Sequence, residues 1–266
     1  MRSNNFCGII KVVGCVMKIA TWNIGSGINT NDYVGEFFDK TPEANPDDKC
    51  MQIIAKQITE NNIDVIALQE VITTESFEYI ENLSKLTGLE YYETFENSPS
   101  HLIKNTMYGV ALLSKYPIEV VKKELFKNPN LTKITTKGEY KSHDKGYIIA
   151  KICADEPFYI SNTHFLPFHR FDTEILDYAE SFVPFQKDLI KYNVIACGDY
   201  NVVEGAKKLK QLLNKLEDFE FVFDEISTVD DKKCDNILIP KKIIKKSQKM
   251  IKNADSSDHF MCIVEI

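Results

Sequence analysis

Two stretches of the chain, DVIALQE (residues 64–70) and NVIACGD (residues 193–199), align without a gap, share Val-Ile-Ala and end in an acid at the same place. Short apolar runs of this length read as buried strands. Val and Ile are the usual strand residues, so chance explains the apolar part of the likeness. The terminal carboxylates are the stronger constraint. If the two strands lie side by side and run the same way, Glu70 and Asp199 reach one rim of a sheet. The tip of the second run, Asp199-Tyr200-Asn201, also admits a plain turn, since Asp, Asn and Gly are turn residues. The rest of the chain has to decide between a turn and a site.

Strand and helix patterns alternate from Met17 onward. MKIATWNI (17–24) reads as a strand, and Met51, Ile54 and Ile58 at helical spacing predict a helix over residues 47–61. IDVIALQE is a strand, followed by a helix from Glu75 to Leu86 that Gly88 ends. Strands LEYYETF, YGVALLS, IEVVKKELF, GYIIAKICA and FYISNTHF come next, with little helix between them. A helix over Thr173–Ile190, interrupted near Pro184, leads into the NVIACGD strand. A helix over Ala206–Leu216 and strands FEFVF, DNILI and HFMCIVEI close the chain. This order fits two packed sheets with helices outside them better than one doubly wound sheet. No Gly-, Ser- or Pro-rich linker divides it, so residues 17–266 read as a single domain.

With 266 residues, 44% hydrophobic and 27% charged, the chain has the composition of a globular protein. No apolar run approaches the ~20 residues that span a bilayer. Seven scattered cysteines suit free thiols of a reducing compartment. Residues 1–16 read as an extension, with Met17 as an alternative start and a cytoplasmic location. Export is the alternative, because Val12-Val13-Gly14-Cys15 resembles a lipoprotein cleavage site; Lys11 interrupting the apolar stretch speaks against it. The net charge of −7 argues against a general polyanion binder. Between Lys232 and Lys252, however, eight lysines face one acid, Asp235: a local +7 that leaves −14 on the remainder. This tract, with Lys241 and Lys242 at its centre, either guides a phosphate-bearing substrate or forms a solvated loop or edge strand.

Four more apolar runs adjoin polar residues. Asn23 ends IATWN, His164 ends FYISNTH, Asp235 opens DNILIP, and Asp258-His259 precede the last strand. Six strand termini carrying only Asp, Glu, Asn or His supply what a hard metal ion and an acid–base system need. The segments TWNI, ALQEV, YGVALLSKYPI, NTHF, GDYN, CDNILI and SDH, in that order, resemble the endonuclease/exonuclease/phosphatase superfamily. The resemblance runs from Met17 to Ile266 and implies a four-layer α/β sandwich, two packed mixed β-sheets flanked by helices, with the site on one rim. It implies a phosphate-ester substrate and Mg²⁺ (or Mn²⁺) held by Glu70, with Asn23 and Asp258. Asp199 would activate water, and Asn201 would donate to a phosphoryl oxygen from the same strand face. His164 and His259 would contact the phosphate, with Asp235 fixing the His259 ring.

The substrate is less constrained. Where abasic-site nucleases of this superfamily carry an acid and a tyrosine, the chain has Gly25 and His164. Val71-Ile72-Thr73-Thr74 offers no arginine of the kind deoxyribonuclease-like members place after the QE glutamate. HFLPFHRFDTE sets Phe168 and Arg170 beside His164, where they can stack a base or form a lip against a lipid headgroup; core packing is the alternative. The leading expectation is a nuclease or nucleotide phosphodiesterase. The others are a phosphoesterase for a phosphoinositide, sphingomyelin-like lipid or small phosphorylated metabolite, and a non-catalytic binding member. No protein partner is indicated.

Overall fold

Near-continuous apolar runs bury both faces of the central strands, as in β2 and β10, and those strands build the molecule outward from two sheets. A computed structural model describes residues 16–27, 48–73, 78–100, 105–136, 138–253 and 255–266. Apart from Val16, the expected N-terminal extension lies outside the described residues, as do the first residues of the two helices expected at 47 and 75. In chain order the elements are β1 (Lys18–Asn23), α1 (Asp48–Glu60), β2 (Val65–Thr73), α2 (Tyr79–Thr87), β3 (Tyr91–Pro99) and β4 (Met107–Ser114). Then come β5 (Ile118–Leu125), β6 (Thr132–Thr135), β7 (Gly138–Lys141), β8 (Gly146–Ile152) and β9 (Phe158–His164). Last are α3 (Val183–Tyr192), β10 (Ile195–Asp199), α4 (Ala206–Leu212), β11 (Phe219–Phe221), β12 (Asp235–Pro240), β13 (Ser247–Ile251) and β14 (Met261–Glu265).

One six-stranded sheet has the order β13-β14-β1-β2-β4-β3, the other β11-β12-β10-β9-β8-β5. Each contains one parallel pair, β1 with β2 and β9 with β10; the other named pairings are antiparallel. The two sheets repeat a plan. The run β1-α1-β2-α2-β3-β4 builds the order β1-β2-β4-β3, and β9-α3-β10-α4-β11-β12 builds β9-β10-β12-β11. DVIALQE and NVIACGD are the equivalent strands β2 and β10. They do not lie side by side as the sequence suggested, because each belongs to its own sheet and the sheets face one another.

Three cores separate the layers. Ile19, Val65, Ala67, Val110, Ile148, Ile195 and Ile237 fill the space between the sheets. The opposite face of the first sheet packs Ala20, Trp22, Ile66 and Leu68 against Met51, Ile54 and Ile58 of α1 and Ile80 and Leu83 of α2. The second sheet is covered by α3, α4 and an aromatic group built on Phe165, Phe182 and Phe185. Each fully buried aliphatic side chain contributes roughly 1.5–3 kcal/mol. The result is the expected four-layer α/β sandwich. Among the described residues no helix is long and apolar enough to cross a membrane.

Gly88 closes α2 in the left-handed region at φ 71°, as its position after the helix predicts. The helix expected over 173–190 is two pieces. A 3-10 stretch, Ile175–Phe182, kinks at Tyr178, and α3 then starts with a proline in its first turn, where a missing N–H costs nothing.

Candidate active site

Side-chain alternation carries functional groups to one rim. On β1, Ile19 and Thr21 face the other sheet, so Asn23 does too; on β9 the series is Ile160, Asn162, His164. On β10 it is Ile195, Cys197, Asp199, and on β12 Asp235, Ile237, Ile239. Apolar members fill the inter-sheet core, and each series ends in a polar group at the edge. By the same count Glu70 falls on the helix side. A bulge corrects this: Gln69 pairs with Val110 and Val71 with Gly109, leaving Glu70 as the extra residue, at φ 57°. A non-glycine residue there costs roughly 1 kcal/mol, and the bulge re-aims the carboxylate into the rim.

Asp199 is the best-tethered group. Its Oδ2 accepts from Asn23 Nδ2 at 3.0 Å and its Oδ1 from the Asn201 backbone N–H at 2.9 Å. His164 Nε2 and His259 Nε2 lie 3.5 Å and 3.9 Å from Oδ2. Burial, with Asp235 adding repulsion, raises its carboxyl to about 7 against the pull of His259, Asn23 and Asn201. Behind His259, Nδ1 donates to Asp235 Oδ2 at 2.8 Å, and Ser227 Oγ donates to the same oxygen at 2.7 Å. Burial opposes protonation of His259, but Asp235 and Asp199 outweigh it and hold the ring well above its ordinary value, as an imidazolium. Trp22, fully buried, donates its indole N–H to the His259 carbonyl at 2.9 Å and so serves the scaffold.

Glu70 faces the same nitrogen of His164 as Asp199, with Nε2 3.8 Å from its Oε1. Burial would raise its carboxyl, but His164, Lys145 and the Tyr108 hydroxyl reverse this and set it at about 2. Asp258 is close enough to feel Glu70: burial first, then the Glu70 charge, raises its carboxyl, with His259 opposing. Two carboxylates that repel one another and offer only oxygen fit a hard dication. Asn23 is partly committed, with its carbonyl accepting from the Gly25 N–H at 3.0 Å and its amide tethering Asp199. Asp199, Asp235 and His259 also offer ligand atoms within 4.8 Å of one another, close enough to share a metal ion.

The structure thus brings together Asn23, Glu70, His164, Asp199, Asp235, Asp258 and His259. Asn201 joins them by a different route from the one expected. β10 stops at Asp199, Asn201 takes φ 50°, and its Nδ2 donates to the Phe165 carbonyl at 2.9 Å, leaving one amide hydrogen. Beside it opens a cleft of about 250 Å³ lined by Thr173, Glu174, Glu204 and Lys208 among others. Arg170 reaches the same rim, bonded by the Tyr140 hydroxyl and close enough for its charge to be felt at Glu70 and Tyr108. Phe168 is mostly buried among aromatics, 4.9 Å from the Tyr178 ring, and also lines the cleft beside Asn201. Lys241 and Lys242 are misplaced as substrate contacts. They follow Pro240 at the end of β12 opposite Asp235, five residues and ~17 Å along an extended strand.

Three residues escaped the sequence reading. Lys145, 6% exposed, puts Nζ 3.2 Å from His164 Nδ1 and 4.7 Å from the Tyr108 ring centre. Tyr108 opens the β4 series whose next members, Val110 and Leu112, face between the sheets; that parity was the available signal. Asn162 lies one step below His164 and donates to the Leu68 and Ala111 carbonyls at 2.8 and 2.7 Å.

Comparison with curated protein sequences gave no match. Solved structures share the fold at low identity. An endonuclease/exonuclease/phosphatase family protein from Leptotrichia buccalis C-1013-b superposes with a TM-score of 0.61 at 18% identity over 94% of this chain and 99% of that one. The human Nocturnin catalytic domain with bound sulfate gives 0.59 at 15%, covering 94% and 92%. A mannosyl-6-phosphatase of Bacteroides thetaiotaomicron VPI-5482 gives 0.57 at 11%, covering 94% and 99%. The sequence profile of the Endonuclease/Exonuclease/phosphatase family matches residues 20–259, almost the whole of the sandwich. With the rim geometry, the layer order and that match in agreement, the chain belongs to the endonuclease/exonuclease/phosphatase family.

Proposed function

We propose that the protein is a divalent-metal-dependent phosphoesterase that cleaves its substrate by in-line attack of water. The observation that carries this reading is the convergence of two carboxylates on His164 Nε2 at one rim, Asp199 at 3.5 Å and Glu70 at 3.8 Å, with Asp199 tethered by Asn23 and the Asn201 N–H. Burial raises Asp199 to about 7, while against burial His164 and Lys145 bring Glu70 down to about 2. A general base works best with a pKa near the operating pH, and a metal ligand works best fully ionised. Asp199, fixed by Asn23 and the Asn201 N–H, takes the proton from the attacking water. His259, backed by Asp235, presents a charged donor to the phosphoryl oxygens. His164 adds a neutral donor, and the free amide hydrogen of Asn201 a third; such preorganised donors are worth on the order of 3 kcal/mol each. Glu70, with Asp258 and the Asn23 carbonyl, would hold Mg²⁺ or Mn²⁺, which when bound neutralises phosphoryl charge and stabilises the leaving oxygen.

The lysine tract bears on the substrate. A nucleic-acid track needs cations along the bound backbone, and Lys241, Lys242, Lys245 and Lys246 instead occupy the opposite end of the strands. The cleft beside Asn201 carries Glu174 and Glu204 paired with Lys208. Both features favour a compact phosphate ester over a nucleic-acid chain. Proteins of this fold include both kinds: a mannosyl-6-phosphatase and the endonuclease domain of the TRAS1 retrotransposon. The test is a panel of bis(p-nitrophenyl) phosphate, p-nitrophenyl phosphate, sugar phosphates, a phosphoinositide, RNA and plasmid, with Mg²⁺ or EDTA. Small esters should be turned over with Mg²⁺ only, and Asp199→Asn should lose roughly 10²- to 10⁴-fold in kcat. Turnover indifferent to EDTA, or wild-type rates for folded Asp199→Asn, would remove the proposal.

A further inference from the structure

We infer that Lys145 is a positioning residue: its ammonium locks His164 in the tautomer that carries its proton on Nε2, aiming one N–H into the gap between Glu70 and Asp199. The inference deepens the reading of His164 as a phosphoryl donor and rests on it. Lysine is seldom buried without a partner, yet Lys145 is 6% exposed, just ahead of β8. Its Nζ lies 3.2 Å from His164 Nδ1. An ammonium has only donors, so Nδ1 is the accepting nitrogen and a neutral ring has its proton on Nε2. The other side of the ring agrees, since Nε2 faces two acceptors, Glu70 Oε1 at 3.8 Å and Asp199 Oδ2 at 3.5 Å. Tyr108, beneath the ammonium at 4.7 Å, fixes the lysine from below.

The two imidazoles at Asp199 are therefore backed by opposite charges. His259 has the Asp235 carboxylate behind Nδ1 and His164 has an ammonium there, so one ring works as a cation and the other as a neutral donor. A carboxylate in place of Lys145 would make both rings cationic and draw the Asp199 base into two ion pairs.

The test reads the ring directly. Two-bond ¹H–¹⁵N correlation on the full-length protein at neutral pH should show His164 with Nε2 protonated and Nδ1 bare. Lys145→Met should scramble that signature into a tautomer mixture. It should also lower kcat about tenfold to a hundredfold with KM changed less than about twofold, whereas Lys145→Arg, which keeps a donor, should restore both. A wild-type ring protonated on Nδ1, or an unchanged signature in Lys145→Met, would overturn the inference. Should Lys145→Met not fold, the wild-type and Lys145→Arg spectra decide. A wild-type protein that hydrolyses nothing would sink the functional reading, while the ring signature would still judge the tautomer lock.

Discussion

His169 precedes Arg170 in the turn beside the site, and both its ring nitrogens are buried without a hydrogen-bond partner. Burial, with Arg170 and Lys232 adding repulsion, holds it down to about 4, from an ordinary 6.5. Between those values the unfolded chain binds a proton that the folded one refuses, so stability falls as pH drops from 6.5 toward 4 and the loss is complete below 4. Allowing for its partial exposure, the loss is on the order of 2 kcal/mol. His169→Phe should therefore flatten the denaturant midpoint against pH in this window, and an unchanged slope would show that His169 is not the group responsible. Single residues differ in how visible they are in sequence. Glu70, Asp199, Asn23, His164, Asp235 and His259 are legible because each adjoins a short apolar run whose tip has no packing need for a polar group. Lys145 was not, since a lysine ahead of a strand is the usual solvated flank. Phe168 is ambiguous in sequence because an aromatic next to His164 looks the same whether it lines a pocket or fills a core, and in the structure it does both.

At the level of elements, β9 is held to the other sheet by Asn162 as well as by apolar packing. Its Nδ2 bonds two carbonyls of that sheet, and Gln69 Nε2 donates to its Oδ1 at 2.7 Å and to Thr21 Oγ1 at 3.0 Å. This network lies one side-chain layer beneath His164 and Asn23, so it sets the spacing of the two rims. Truncation leaves buried groups unbonded, each costing ~1–3 kcal/mol, and opens a small void. Asn162→Ala should destabilise the fold by about 2–4 kcal/mol in urea unfolding; a loss under about 1 kcal/mol would mean the network is dispensable. Strands with a buried face were readable from alternation alone. The hairpin β6–β7 and edge strand β13 were not, because TKIT, GEYK and SQKMI are short and carry too few apolar residues to mark a period. β13 does satisfy one of the two alternatives for the lysine tract, an edge strand blunted by charge. The Glu70 bulge was also invisible, since nothing in ALQEV distinguishes an inserted residue from a continuing strand.

Over the whole molecule, charge and chemistry are segregated along the strand axis. The rim carries the acids and imidazoles with Lys145 and Arg170 among them, and the middle of the lysine tract, Lys241 to Lys246, turns from β12 into β13 at the other end, where Lys245 pairs with Glu220 at 2.5 Å and Lys241 bonds the Glu217 carbonyl at 2.6 Å. Five strand residues put about 17 Å between Asp235 and Pro240. The Debye length is about 10 Å at 0.1 M salt, so these lysines are screened from a substrate at the rim. A polymer reaching them would be bound more tightly, with a salt slope steepened by about 0.9 per contacted phosphate on a duplex. Replacing Lys241, Lys242, Lys245 and Lys246 by Gln should therefore leave kcat/KM on a small ester within about twofold and its salt dependence unchanged. Stability should move little, because exposed ion pairs are worth at most about 1 kcal/mol each. Should the fourfold variant instead lose activity on a nucleic acid, with a shallower salt slope, the strand ends would be joined by a bound chain and the compact-ester reading would give way to a nuclease.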